Sequence, residues 1–266
     1  MPRFTLRLLG TFETRASSRL IPLRLPAKAV ALLAILAVRP GQPHSRHKLA
    51  GVLWPNVTSD QAHHSLRQAL MSLRRTLSAS DWPAVIVAEG DTLAFDSTDV
   101  EVDVDTFEKC LGEGDWDALT RAVTLYRGDF LEGFALEEPS FEEWSVGERE
   151  RLRELAVEAL ARLLQHYQQR SSEAGAAIQI ALRLLRLDRT QEVVHRTLIR
   201  LYARQGRRAE ALRQYRRCVS TLREDLGVDP EPETVRLHHE IKRLPPAQPG
   251  LPERAAADQS VAGPTS

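Results

Sequence analysis

The stretch at residues 58–78, TSDQAHHSLRQALMSLRRTLS, constrains the fold more than any other part of the 266-residue chain. Four leucines in it recur at spacings of four, three and four residues, which places them in one narrow stripe of an α-helix. They are Leu66, Leu70, Leu73 and Leu77. Thr58 and Gln61 have the spacing of a capping box, which marks a helix start. The sequence therefore predicts one amphipathic helix with a buried leucine face.

The other face of this predicted helix carries basic, amide and thioether side chains, and no carboxylate follows Asp60. A solvated helix face usually mixes both signs of charge, so this face is suited to an anionic partner. We interpret the helix as one that lies in a DNA groove. The candidate DNA-binding residues are His64, Arg67, Gln68, Met71, Ser72, Arg74 and Arg75. The alternative is a helix that packs on a partner protein and leaves its arginines solvated.

The position of each residue on the helix predicts whether it contacts bases or phosphates. His64 and Gln68 lie almost opposite the leucine stripe and would reach deepest into the groove, where a Gln can bond adenine bidentately. Arg67 and Arg74 lie nearer the stripe, where long stems can reach phosphates, and the position of Arg75 suits either role. The alternative is that all of them contact the backbone and that DNA shape supplies the specificity.

The elements around this helix have the order of a winged helix with an N-terminal sheet. They are three short strands at 3–9, 11–15 and 20–25, an apolar helix at 27–38, a short helix at 45–54, and a hairpin at 85–95. Short alternating runs are typical of antiparallel strands. In a winged helix, the third helix enters the major groove while flanking elements contact phosphate.

The net charge of zero hides a strong asymmetry along the chain. Residues 1–96 hold twelve Lys or Arg against six Asp or Glu, whereas residues 97–150 hold four against sixteen. A basic N-terminal part is a better candidate for nucleic-acid binding than a neutral protein. Alternating acids open the next segment but lack the Gly and terminal Glu of an EF-hand, so we interpret them as a solvated linker. They are Asp99, Glu101, Asp103 and Asp105.

Apolar periodicity predicts that most of the remaining chain is helical. The predicted helices lie near 116–126, 141–169, 174–187, 191–205, 208–224 and 231–243. Leu164 matches Leu198, and Ala177 matches Ala211, at an offset of 34 residues, which is the tetratricopeptide (TPR) period. The last segment, 245–266, is rich in Pro, Ala, Gly and Ser, which predicts a disordered tail.

Several segments resemble the bacterial transcriptional activator domain. They are DVDTF at 103–107, LYRGDFL at 125–131, EW at 143–144, ERERL at 148–152, GRRAEAL at 206–212 and EDLGVDP at 224–230. The first half resembles the DNA-binding domain of response regulators, with LWP at 53–55 and LRRTL at 73–77. In this order the two halves resemble the antibiotic-regulatory-protein (SARP) type of activator over residues 4–243. This resemblance implies binding to direct repeats near promoters and recruitment of RNA polymerase.

We therefore expect a mixed fold. Its parts are an α+β winged helix-turn-helix domain at 1–97, an all-α TPR-like activator domain at 98–244 and a disordered tail at 245–266. The expected partners are double-stranded DNA with direct repeats, the RNA polymerase holoenzyme and, on DNA, a second copy of the chain. The alternative is a TPR-like protein-interaction scaffold with a vestigial winged helix. Salt-dependent DNA binding would distinguish an activator from such a scaffold.

Other classes of site have little support in the sequence. Cys110 and Cys218 lack metal-ligand spacing, which is typical of two reduced thiols in a cytoplasmic protein. Adjacent histidines such as His63 and His64 point about 100° apart on a helix and cannot chelate one metal. No GxxxxGK[ST] or GxSxG motif and no run of about 18 apolar residues occurs. We predict no enzyme activity, no cofactor, no metal and no membrane span.

Overall fold

Seven strands and ten α-helices form within residues 4–17 and 19–243, the part of the chain that the computed structural model describes. The strands are β1 (Phe4–Arg7), β2 (Glu13–Ala16), β3 (Arg19–Leu20), β4 (His44–Ser45), β5 (Ile86–Glu89), β6 (Thr92–Phe95) and β7 (Val100–Val102). The helices are α1 (Ala27–Ala37), α2 (Arg46–Leu53), α3 (Ser59–Ala79), α4 (Asp103–Glu113), α5 (Trp116–Leu125), α6 (Pro139–Gln168), α7 (Ala174–Leu187), α8 (Glu192–Arg204), α9 (Arg208–Thr221) and α10 (Pro232–Arg243). The predicted disordered tail lies outside the described residues.

The N-terminal sheet has the strand order β3-β2-β1-β7. Its central strand β1 is antiparallel to β2 and parallel to β7, so that Leu6 lies opposite both Thr14 and Val102. The third predicted strand, at 20–25, is wrong beyond Leu20. Pro22 ends it early, because a proline has no N–H to donate to a ladder.

The acidic segment before α4 is a packed part of the fold, and its interpretation as a solvated linker is wrong at Asp103. Val100 and Val102 are buried beside β1, and Asp103, the first residue of α4, is only 1% exposed. The Asp103 carboxylate accepts hydrogen bonds from the Leu8 and Leu9 amides at 2.8 and 3.0 Å. The interpretation failed because these donors lie more than ninety residues away in the sequence.

Helix α1 forms the centre of the winged helix. Its residues 29–37 are all buried, and they contact α2, α3 and β6. A second sheet has the order β4-β6-β5, in which β5 and β6 are the predicted hairpin. Gly90 turns this hairpin in the left-handed region, with φ of 54°. The sequence did not predict β4, which has only two residues. The predicted winged helix-turn-helix is confirmed.

The helical part has the predicted TPR-like character. Helix α7 packs on α6, and α9 packs on α8. The residues matched at the 34-residue offset, Leu164 with Leu198 and Ala177 with Ala211, are all buried in these two pairs. The sequence missed α4, which lies in the acidic segment, while the six predicted helices all form.

The described residues divide into two compact units, one up to Leu187 and one from Asp188. In the first unit, one hydrophobic core runs from Phe4 on β1 through α1 and α3 to Ala156 on α6. The second contains α8, α9 and α10. The predicted limit at residue 97 falls just before β7, so the N-terminal sheet is completed by residues beyond it. A functional division at residue 97 stays a prediction.

Candidate nucleic-acid interface

Helix α3 begins at the predicted capping box and buries the predicted leucine stripe. The Thr58 amide donates to Gln61 Oε1 at 3.3 Å, which completes the capping box. The buried face packs toward α1 and α2 and consists of Ala62, Leu66, Leu70, Leu73 and Leu77. A fully buried leucine stabilises a fold by roughly 1.5–3 kcal/mol. The stripe therefore fixes the rotation of α3 about its axis, and with it the direction of the opposite face.

Six of the seven predicted DNA-binding side chains are exposed, and Ser72 is half-buried. The exposed six are His64, Arg67, Gln68, Met71, Arg74 and Arg75. Met71 is 65% exposed, more than any other large apolar side chain in the described residues. An apolar side chain on a reading face can contact the thymine methyl group. The structure thus places the predicted residues on one solvent-facing surface, while their contact with DNA stays a prediction.

Within the described residues, no carboxylate forms an ion pair with the arginines of this face. The ion pairs found between described residues do not include Arg67, Arg74 or Arg75. Arg74 differs from the other two, because its Nη2 donates to the Ile86 carbonyl of β5 at 3.4 Å. Arg74 therefore reaches toward the wing, whereas the described residues offer Arg67 and Arg75 no ion-pair partner.

Helix α2 adds basic groups that the sequence analysis did not select. The exposed Lys48 and the half-buried Arg46 lie on this helix. The ring of His47 stacks on that of His63 of α3, with 5.8 Å between the centroids and an interplanar angle of 28°. The first helix of a helix-turn-helix commonly crosses the DNA backbone, so the run at 46–48 was the signal that could have identified this second basic element.

The charged side chains of the wing are all acidic. No Lys or Arg occurs between Arg75 and Lys109, and the β5–β6 turn presents Glu89 and Asp91 to solvent. Phosphates repel carboxylates, so this hairpin is poorly suited to lying along a DNA backbone. The expectation that flanking elements contact phosphate therefore points to α2 rather than to the wing.

An ion pair between the buried Asp103 and the partly exposed Arg127 joins the N-terminal sheet to the helices within the first compact unit. Arg127 Nη2 donates to the Asp103 carboxylate at 3.0 Å and to the Leu9 carbonyl at 3.2 Å. Burial raises the pKa of Asp103 to about 6, against the lowering effect of the Leu8 and Leu9 amides and of Arg127. Desolvation also lowers the pKa of the Arg127 guanidinium.

The loop after α5 packs closely on the end of β1. Leu9 forms an isolated bridge with Phe130, and the Gly10 amide donates to the Asp129 carbonyl at 3.1 Å. A Cβ atom on Gly128 would lie 2.1 Å from Glu132 Oε2 and 3.3 Å from the Cα of Gly10, so a larger residue would force the Glu132 side chain to move and would crowd the Gly10 segment. The segment at 125–131 thus packs against the end of β1. The sequence analysis identified this segment only by its resemblance to the activator domain and did not predict the packing.

No group of three or more His, Cys, Asp or Glu within residues 4–17 and 19–243 is placed to hold a metal ion. Cys110 and Cys218 are buried free thiols, and burial raises the pKa of Cys218 to about 12. In the same part of the chain, no helix combines the length and apolar character needed to cross a bilayer.

These features define a class: a winged-helix module with an exposed basic helix, joined to TPR-like helices. Residues 95–242 match the family model of the bacterial transcriptional activator domain, and the chain belongs to this family of transcriptional regulators. The predicted SARP-type architecture is confirmed.

Similar proteins include one regulatory protein and one solved structure. The chain is 29% identical over 244 residues to the regulatory protein AfsR of Streptomyces coelicolor, covering 87% of this chain and 23% of AfsR. The fold is similar to that of Mycobacterium tuberculosis EmbR, solved in complex with a low-affinity phosphopeptide. The TM-score is 0.61 at 23% identity, over 91% of this chain and 66% of EmbR. The chain thus spans less than a quarter of AfsR and slightly under two thirds of EmbR.

Proposed function

We propose that the chain is a sequence-specific DNA-binding transcriptional activator that acts at direct repeats near promoters and helps to recruit the RNA polymerase holoenzyme. The observation that carries the proposal is the exposed face of α3, on which Arg67 and Arg75 have no carboxylate partner among the described residues. An unneutralised basic face on the third helix of a winged helix suits the DNA major groove.

Four side chains of this face have a proposed role in DNA binding. Gln68 and His64 face base edges, where one bidentate contact is worth roughly 1–3 kcal/mol of discrimination. Arg67 and Arg75 bind phosphates, and each phosphate contact adds about 0.9 to the slope of log affinity against log salt. The exposed Lys48 of α2 binds the DNA backbone.

The helical part then presents a surface to the polymerase. The Asp103–Arg127 ion pair holds helices α4–α7 against the N-terminal sheet. DNA bound at α3 would therefore fix the orientation of these helices on the promoter. Direct repeats would seat a second copy of the chain beside the first. These events occur in the bacterial cytoplasm, where the DNA and polymerase are found.

The competing function is a TPR-like interaction scaffold with a vestigial winged helix. A vestigial module would be free to acquire carboxylates on α3, yet no acidic residue follows Asp60 in that helix. This observation favours the DNA-binding proposal.

Genome-wide mapping of bound sites, followed by binding assays with the full chain, tests the proposal. Mapping supplies the promoter and its repeat spacing, and fluorescence anisotropy then compares that duplex with a scrambled one across a salt series. We expect tight, salt-sensitive and sequence-selective binding. The variant Arg67→Gln/Arg75→Gln should bind both duplexes weakly, with a salt slope reduced by about two.

A matched control removes the same charge elsewhere. Arg162→Gln/Arg204→Gln replaces two exposed arginines on α6 and α8, and it should bind DNA as the unaltered chain does. In transcription assays with purified RNA polymerase holoenzyme, the unaltered chain should increase the amount of transcript from the promoter, and Arg67→Gln/Arg75→Gln should not. Equal DNA binding by the two double variants would contradict the proposal and leave the scaffold function.

A further inference from the structure

A small cleft outside the α3 face lies where the loop after α5 meets α6 and the end of α7. It has a volume of about 260 Å³ and lies wholly within the first compact unit. Four arginines line it, together with Tyr126, Gly128, Leu187 and two acids. The arginines are Arg127, Arg153, Arg183 and Arg186.

Three of these four arginines have no acidic partner. Arg127 is paired with Asp103, but no ion pair among the described residues includes Arg153, Arg183 or Arg186. Arg153 donates to the Leu187 carbonyl at 2.6 Å, and Arg183 donates to the Tyr126 carbonyl. Both acceptors are neutral, so these hydrogen bonds leave the charges of Arg153 and Arg183 without an ion-pair partner among the described residues. Burial and the neighbouring charge of Arg186 lower the pKa of Arg183.

Helix capping explains part of this arrangement. Leu187 ends α7 and Tyr126 caps α5, and basic side chains commonly bind carbonyls at helix C-termini. Capping uses one N–H of Arg153 and one of Arg183, whereas a guanidinium carries five. It does not explain Arg186, which is exposed and makes no hydrogen bond to a described residue.

The two acids in the cleft narrow the class of ligand. Asp129 Oδ1 accepts from the Tyr126 hydroxyl at 2.9 Å, and Glu132 lies beside Gly128. Carboxylates repel an anion but accept hydrogen bonds from hydroxyl groups. Guanidinium groups bind phosphate with two parallel hydrogen bonds. The cleft is smaller than the roughly 300–1,000 Å³ of pockets for drug-sized molecules, so its ligand is small.

We propose that this cleft binds a small hydroxylated phosphomonoester of the size of a sugar phosphate. Arg153, Arg183 and Arg186 hold the phosphate, while Asp129 and Glu132 accept hydrogen bonds from the hydroxyl groups. A bound phosphate would bridge α6 and α7 and would relieve the repulsion between Arg183 and Arg186.

Isothermal titration calorimetry with the full chain at constant ionic strength tests this site. The probes are ribose 5-phosphate, inorganic phosphate and ribose. We expect saturable binding of ribose 5-phosphate, weaker binding of inorganic phosphate and none of ribose. Arg186→Gln should weaken ribose 5-phosphate binding about tenfold or more, because it removes charge-assisted hydrogen bonds.

The control variant is Arg162→Gln, which removes an exposed arginine from α6 outside the cleft. It should bind ribose 5-phosphate with unchanged affinity, and equal melting temperatures would show that both variants fold. The proposal is overturned if neither phosphate compound binds, if the two variants lose the same affinity, or if inorganic phosphate binds as tightly as ribose 5-phosphate.

Discussion

The Asp103 carboxylate and the Arg127 guanidinium lie 3.0 Å apart, and they connect the start of the chain to its helical part. Asp103 begins α4 and binds the Leu8 and Leu9 amides at the end of β1, while Arg127 follows α5. Asp103 is almost fully buried, and the Arg127 side chain is one-third exposed. The pair therefore links two segments that are distant in sequence, and we call this partly exposed Asp103–Arg127 ion pair the latch.

We expect Asp103 to titrate near pH 6 in the folded chain. Burial raises its pKa from 3.8 to about 6, so the folded state binds a proton that the unfolded chain has lost. The contribution of this carboxyl to stability is fully present below pH 3.8 and is lost as pH rises through 6, by about 3 kcal/mol. A ¹³C NMR titration of the carboxyl carbon measures the midpoint. A midpoint below 4 would mean that the backbone hydrogen bonds to Asp103 and the charge of Arg127 outweigh the effect of burial.

Arg127→Gln should destabilise the chain in a pH-dependent way. At pH 7.5 it leaves the buried Asp103 carboxylate without its cation, and we expect a loss of about 2 kcal/mol in the free energy of unfolding. At pH 5 the loss should be smaller, because Asp103 then takes up a proton. Urea unfolding followed by circular dichroism measures both values. Arg121→Gln, which breaks an exposed pair with Glu113, should change little at either pH. A loss independent of pH would contradict the latch.

Gln68→Ala should relax DNA sequence preference without weakening non-specific binding. In the proposed complex its amide would face base edges, so its loss should cost roughly 1–3 kcal/mol at one base position. Arg67→Ala should weaken binding to every sequence and lower the salt slope by about one. Anisotropy titrations on cognate and scrambled duplexes separate the two effects. The same loss from both variants on both duplexes would remove the distinction between base reading and phosphate binding.

Met71→Ala should reduce affinity only for sites that present a thymine methyl group. Met71 is 65% exposed, so its removal should leave the melting temperature unchanged. Replacing thymine by uracil at each position of the site removes the methyl group alone. We expect one such position to weaken binding of the unaltered chain but not of Met71→Ala. If every thymine-to-uracil change affects both proteins equally, Met71 does not read the methyl group.

Glu89→Gln/Asp91→Asn should strengthen binding to all DNA sequences at low salt. These carboxylates form the acidic tip of the wing, and their repulsion of phosphate is screened as salt increases. We expect a gain of a few fold at about 50 mM salt that vanishes near 500 mM. Glu154→Gln/Glu158→Gln removes two exposed acids from α6 and should not change DNA binding. An equal gain from both variants would indicate a net-charge effect unrelated to the wing.

The local features of α3 were predictable because they depend on residues close in sequence. Its start follows from the Thr58–Gln61 spacing, and its buried face follows from leucines three and four residues apart. The exposure of Gln68 and Met71 then follows from helix geometry alone. The hydrogen bond of Arg74 could not be predicted in this way. Its acceptor is the backbone carbonyl of Ile86, and no side-chain pattern in the sequence marks that atom.

The burial of Asp103 shows where sequence reasoning ends. An aspartate in a run of alternating acids is normally solvated, because burying a charge is costly unless donors surround it. Its donors come from Leu8, Leu9 and Arg127, which only the folded chain brings together. The two-residue strand β4 was missed for a related reason, since so short a strand exists only through its pairing with β6.

The parallel pairing of β1 with β7 determines how chimeric regulators can be built from this chain. A graft that ends at residue 97 would strip β1 of one neighbour and leave a row of unpaired backbone groups, which is a template for aggregation. It would also leave the Leu8 and Leu9 amides without their acceptor. A graft that extends to Leu187 keeps the sheet, the latch and the shared core intact. Transplanting α3 together with its supporting sheet therefore means transplanting the first four helices of the activator domain, α4–α7, as well.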